Sequence, residues 1–183
     1  MIVASLAPSA LVVLGLLDVY GAGTPYDLKR WLDGSVGYFW SFPRAQLYVE
    51  PQRLAALGLV EEVREPYGRR RRCFSITPSG RLTLREWIGS DDSPAAELRD
   101  PGLLKLFFAG AVDPASVVAL ARANAAEHAR RLTTYQGILH DLEQDPSAAF
   151  GLATLRLGLR HEQIAVEFWQ EIAANPPRAV SQA

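Results

Sequence analysis

Helical spacing runs through most of the 183-residue sequence and gives way clearly at one place, between Leu59 and Thr77. Two short runs stand there, LVEEVRE and RCFSIT, separated by Pro66-Tyr67-Gly68-Arg69-Arg70. Two β-type runs joined by a short glycine-bearing link predict a hairpin with a longer loop. Phe74 and Ile76 share one face of the second run, expected to point inward, and Cys73 and Ser75 share the other. The loop end is strongly basic: Arg69, Arg70, Arg71 and Arg72 are consecutive in a chain of formal net charge −1.

Helices are predicted on both sides of the hairpin. Ser9 is a candidate N-cap for an apolar, buried helix over Ala10–Tyr20, stopped by Gly21 and Gly23. Thr24-Pro25-Tyr26-Asp27 starts a second, with Thr24 as cap, Pro25 at the first helical position and Asp27 in the electropositive first turn. It carries Leu28, Trp31 and Leu32 and ends near Asp33-Gly34. A third start lies in WSFPRAQLYVEPQRLAALGLV, with Ser41 as cap, Pro43 in the first turn and Gly58 at the end. On that helix Leu47, Pro51 and Leu54 fall on one face, with Ala45, Val49, Gln52 and Ala56 opposite. Thr77-Pro78 opens a fourth helix, to Trp87. Three helices, a hairpin and a closing helix describe a winged helix-turn-helix.

The polar stretch Gly89–Pro94 marks the expected domain boundary. Beyond it come a short helical piece near Leu103–Phe108 and a long helix from Asp113-Pro114 to about Glu143. The long helix carries a coiled-coil-like stripe: Val117, Ala121, Ala125, His128, Leu132, Tyr135, Leu139 and Leu142. A last helix, Phe150 to Ala173, has Leu152, Leu155, Leu159, Val166 and Trp169 on one side. Leu157, Ile164, Phe168 and Ile172 widen its apolar surface beyond what one neighbour covers, so it is expected to pack within its chain and against a second copy. The fold class is therefore mainly α: a winged helix-turn-helix over 9–90, a helical dimerisation domain over 95–175, and a disordered tail over 176–183.

Charge divides along the same line. Residues 1–90 hold 11 basic and 8 acidic side chains, residues 91–183 hold 8 and 12. A basic front half suggests a polyanionic partner. The single cysteine, Cys73, excludes an internal disulfide and fits a reducing cytoplasm. Leu11–Leu17 is the apolar run of the N-terminal region and is far short of the roughly 20 residues that span a bilayer, so no membrane partner is expected. No HExxH, cysteine cluster or phosphate loop is present, and His128 and His140 stand about 120° apart on one helix, which argues against an enzyme, a metal site or a cofactor.

A winged helix sets its third helix in the major groove and its hairpin tip over phosphate, where arginine's planar fork is effective. A charge run at a loop tip can be merely solvated; the hairpin beneath it and the acid-poor helix upstream favour double-stranded DNA. On that reading Gln46 and Gln52 face adenine edges, Arg44 or Arg53 a guanine or phosphate, and Val49 a thymine methyl. Tyr48 touches backbone or packs under the wing; Thr24 and Tyr26, at a helix N-terminus, suit a phosphate, and Ser41 joins this set. The alternative is a winged-helix module that binds protein without specific DNA recognition. Cys73, beside Arg71 and Arg72, is a candidate redox sensor or simply a small strand residue.

The series LVVLGLLDVYGAGTPYDLKRWLD, AQLYVEPQRLAALGLVEE and a basic hairpin leading into SITPSGR resembles the PadR family of bacterial transcriptional regulators. GLLKLFFAG, ALARANAAEHARRL and TLRLGLRHEQIAVEFWQEI are similar to the longer, virulence-activator-like C-terminal domain of that family. Two departures are Pro51, where leucine is more usual, and Thr24-Pro25 in place of His-Gly before the tyrosine. The resemblance implies a homodimeric repressor on a palindromic operator, released by a signal held near the dimer interface. It places Val117, Ala121, His128, Leu132, Tyr135, Leu139, Leu155, Leu159, Val166 and Trp169 in that interface. Phe107, Phe108, Phe168 and Trp169, with Tyr135 and Trp87 nearby, are the candidate lining for an aromatic effector.

Overall fold

A computed structural model describes residues 6–64 and 71–177. The chain divides into two compact units, meeting at Ala95 and Ala96. Arg69 and Arg70, and the expected tail from residue 178 onward, lie outside the described residues.

The N-terminal unit contains α1 (Pro8–Tyr20), α2 (Pro25–Asp33), a 3₁₀ turn (Val36–Tyr38), α3 (Gln46–Ala56), β1 (Val60–Arg64), β2 (Arg72–Ile76) and α4 (Pro78–Ile88). α1 is apolar nearly throughout because it runs through the centre of the unit, burying Ala10, Leu11, Val13, Leu14, Leu16 and Leu17. Leu28 and Leu32 of α2, Leu47 and Leu54 of α3, Phe74 and Ile76 of β2, and Leu84 of α4 complete the core. β1 and β2 pair antiparallel, with Val60 opposite Ile76 and Arg64 opposite Arg72.

The helix starts follow their caps. Thr24 and Asp27 form a reciprocal capping box at α2, and the Thr77 hydroxyl accepts from the Gly80 amide at α4. Gly58, at φ 71°, makes the left-handed turn that leads from α3 into β1.

Two starts differ from expectation. Ser9 does not cap α1: Ala7 is the N-cap, Pro8 takes the first helical position, and the Ser9 hydroxyl is drawn to Glu50. Ser41 does not cap α3 either. Pro43 disfavours helical backbone at Phe42, and Phe42 packs on the core. The chain makes one tight turn, with Gln46 N–H donating to Pro43 O at 2.8 Å, before α3 begins at Gln46.

The C-terminal unit comprises α5 (Pro101–Phe107), a 3₁₀ turn (Ala109–Ala111), α6 (Pro114–Leu142) and α7 (Ala149–Ala174). Asp100 caps α5 by accepting from the Gly102 and Leu103 amides, and Asp113 caps α6 through the Ser116 amide. α6 and α7 form a long helical hairpin. No helix among the described residues is long and apolar enough to cross a membrane.

Candidate nucleic-acid interface

α3 presents the outward face that its sequence implies. Ala45, Tyr48, Val49, Gln52 and Ala56 are exposed, while Leu47, Pro51 and Leu54 are buried. The one acid of the helix, Glu50, is buried as well, so the outer face carries no negative side chain. Gln46 is half-buried at the start of the helix. Gln52 donates its amide to the Tyr48 carbonyl at 2.9 Å, which leaves its own carbonyl oxygen to accept. Arg44, just before α3, is paired with Asp33 at the end of α2, 3.1 Å away, and Ser41 is exposed on the same connection. Arg53 donates Nε to Glu50 at 2.9 Å.

The wing is joined edge-on to the start of α2. Gly23 N–H donates to Phe74 O at 2.9 Å and Phe74 N–H to Gly23 O at 2.8 Å. Only a residue without a side chain fits there, because a Cβ on Gly23 would collide with the Trp31 indole. This pairing brings the exposed Arg71 close to the N-terminus of α2. The Asp27 carboxyl is held below the ordinary carboxylate value, first by the Thr24 amide and hydroxyl, with smaller help from Arg30 and Arg71. Tyr26 stands 70% exposed at that helix start, not in the core.

Arg72 is differently placed. Its Nε and Nη2 both reach Glu62, each at 2.6 Å, and its guanidinium lies over the Phe74 ring. Arg64 also donates to Glu62, at 2.9 Å, and its side chain is mostly exposed. These bonds hold the Glu62 carboxyl down at about 2, Arg72 contributing most. Arg72 thus braces the wing, and Arg64, not singled out from sequence, is a further cation at its rim. Its position opposite Arg72 on β1 was the available signal. Cys73 is half-buried, paired across from Val63.

In the C-terminal unit the stripe of α6 meets α7 of the same chain. Val117, Ala121, His128, Tyr135, Val166 and Trp169 are buried, and Leu132, Leu139, Leu155 and Leu159 are half-buried. These ten were expected to face a second copy. The six buried ones are already covered within one chain, because α7 folds back along α6. What stays open is the apolar set that widens α7, namely Leu157, Ile164 and Phe168, with Phe150 at its start.

Sequence reasoning passed over a buried polar knot at this seam. Glu162, 1% exposed, receives His128 Nδ1 at 2.6 Å and Arg131 Nη2 at 3.2 Å, with His161 Nδ1 3.7 Å away. Glu162 falls in the same 4–3–4–3 spacing as Leu155, Leu159, Val166 and Trp169, and a carboxylate on an apolar stripe was the missed signal. Among the described residues no three His, Cys, Asp or Glu side chains are placed to hold a metal.

The four candidate pocket aromatics differ in placement. Trp169 is core, in edge contact with Phe168, and Phe107 is exposed against Phe108. Of the four, only Phe108 borders a described apolar cavity of about 400 Å³. Leu104, Val112, Val117 and Leu120 line it too, with Lys105 and Ser116 as its polar members. Trp87 belongs to α4 and Tyr135 to the α6–α7 seam.

Comparison with known proteins agrees with both units. The family described as virulence activator alpha C-term matches residues 98–175. A probable transcriptional regulator of Mycobacterium tuberculosis is 33% identical over 171 residues, covering 83% of this chain and 89% of the relative. The negative transcriptional regulator PadR of Bacillus subtilis is 26% identical over 98 residues, 52% of this chain and 53% of its own. The crystal structure of that regulator with operator DNA superposes with a TM-score of 0.79 at 24% identity, over 90% of this chain and 96% of the other. Its complex with p-coumaric acid gives 0.74 at 21% identity, over 93% and 97%. The chain belongs to the PadR family of transcriptional regulators, with the virulence-activator-alpha type of C-terminal domain.

Proposed function

We propose that the chain is a cytoplasmic, non-enzymatic repressor that binds double-stranded DNA as a homodimer. The observation that carries this reading is the outer face of α3, small, amide-bearing and free of acids because Glu50 is turned inward. Val49 and Gln52 occupy the centre of that face for base edges. Tyr26 and Arg71 stand at the α2 N-terminus beside Thr24, where the helix dipole and a cation suit a phosphate. Arg69 and Arg70 would extend the grip along the backbone. The exposed Leu157, Ile164 and Phe168 of α7 supply the surface for a second copy. A small aromatic effector is the release signal this reading assigns, by analogy with the relative crystallised with p-coumaric acid, and the Phe108 cavity offers it a place.

The test is selection of the purified protein on random duplexes at two salt concentrations. The expected product is an inverted repeat with half-sites about one helical turn apart. Retention without sequence enrichment would overturn specific recognition and favour the protein-binding alternative.

A further inference from the structure

Glu50 is buried at 5% exposure in the middle of α3, on the face that otherwise carries Leu47, Pro51 and Leu54. A carboxylate there is tolerated only if it is paired, and its two partners lie on different helices. Ser9 Oγ donates to Oε1 at 2.8 Å, and Arg53 Nε donates to Oε2 at 2.9 Å. Ser9 is in the first turn of α1, a helix start with no side-chain cap and no acid of its own. The aligned peptide dipoles of such a start make it electropositive. Glu50 therefore brings to the start of α1 the negative charge that its own sequence lacks.

The same carboxylate constrains the arginine. Arg53 is 40% exposed, yet its Nη2 is buried with no acceptor. The guanidinium is thus held by Nε with one amino group against the protein, and only its outer edge is left for a ligand.

We infer that Glu50 is a positioning residue for DNA recognition: tied to Ser9, it fixes α3 on α1 and aims the Arg53 guanidinium without itself touching DNA. This rests on the DNA-binding reading above. An unaimed Arg53 regains rotamer freedom and meets many sequences equally well. Discrimination then falls, while the number of cations on phosphate does not.

The experiment measures affinity for the selected site and for a random duplex across a salt series, for the full chain and four variants. Glu50→Gln is expected to lower the ratio of the two affinities about tenfold, the size of one hydrogen bond to a charged group, with no decrease in salt slope. Ser9→Ala is expected to lower it about threefold, as a neutral partner of the same carboxylate. In an Arg53→Ala background, Glu50→Gln should add less than about twofold, because both act through one side chain. Full discrimination in Glu50→Gln, or losses that multiply independently in the double variant, would overturn the inference. Thermal unfolding of each variant separates misfolding from misaiming, and Ser9→Ala, which leaves the carboxylate and core intact, decides the matter if Glu50→Gln does not fold. A wild-type chain that selects no site would overturn the DNA reading and the inference with it; a wild-type chain that selects one while Ser9→Ala and Glu50→Gln discriminate equally well would overturn the inference alone.

Discussion

The N-terminal unit closes its core among Leu14, Leu17, Leu28, Leu47, Leu54 and Phe74, drawn from three helices and a strand, and keeps its ion pairs mainly at the rim. The C-terminal unit buries Val117, Ala121, Tyr135, Val166 and Trp169 along one seam between two helices, and places Glu162, His128 and Arg131 inside that seam. Two long helices have only one face each to give one another, so a broadly apolar helix keeps surface in water. Phe150, Leu157 and Ile164 are the result. The front unit gathers one apolar core from several elements, whereas the rear unit carries a polar knot along its single seam and leaves the widened face of α7 in water.

The largest effect should come from breaking the knot. Glu162→Ala leaves Arg131 and His128 facing an empty, buried position, and removing one member of such a pair costs about 3 to 5 kcal/mol. Hydrogen exchange read on peptides of α6 and α7 should show that loss, with α1 and α3 unaffected. Uniform loss of protection through both units would contradict the separation drawn between them.

Next is the outer face of α7. Replacing Leu157 and Ile164 together by glutamate removes apolar contacts only if a second copy meets them. Sedimentation equilibrium should then show self-association weakened by about thirtyfold or more, the size of one interface hot spot. Because those side chains are already in water within one chain, the exchange pattern of α1 to α4 should not change. Unaltered self-association would move the dimer surface elsewhere.

Much of this was legible in the sequence, and the exceptions share a cause. Thr24, Thr77 and Asp113 each cap the helix they were expected to start, because a cap depends only on residues within one turn. The hairpin and its inward Phe74 and Ile76 follow from alternation, which is local too. Ser9 carries an equally good cap signal and does something else, since its partner is 41 residues away. Glu50 and Glu162 sit at stripe positions where periodicity calls for an apolar side chain, and what permits them is a donor on another helix. The stripe of α6 was visible, but whether it faces α7 or a second copy depends on how the chain turns back after Leu142. Arg72 looked like its three neighbours until pairing put Glu62 beside it.

That last pair supplies the smallest effect and a contrast with Glu162, since Glu62 sits at the rim of the wing and not in a core. The Arg72 and Arg64 hydrogen bonds lower its carboxyl to about 2 from an ordinary 4.5. A depressed folded-state value means that the unfolded chain takes up the proton first as pH falls. The contribution is therefore complete above about 4.5 and is lost as pH falls toward 2. Carbon chemical shifts of the Glu62 carboxyl should titrate near 2 in the wild type and move up toward the ordinary value in Arg72→Ala, with Arg64 retaining part of the depression. Global stability near neutral pH should change little, because a pair at a solvent-reached rim is screened. An unmoved midpoint in Arg72→Ala would mean that Arg72 is not engaged by Glu62, and it would then rejoin Arg71 as a cation free for phosphate.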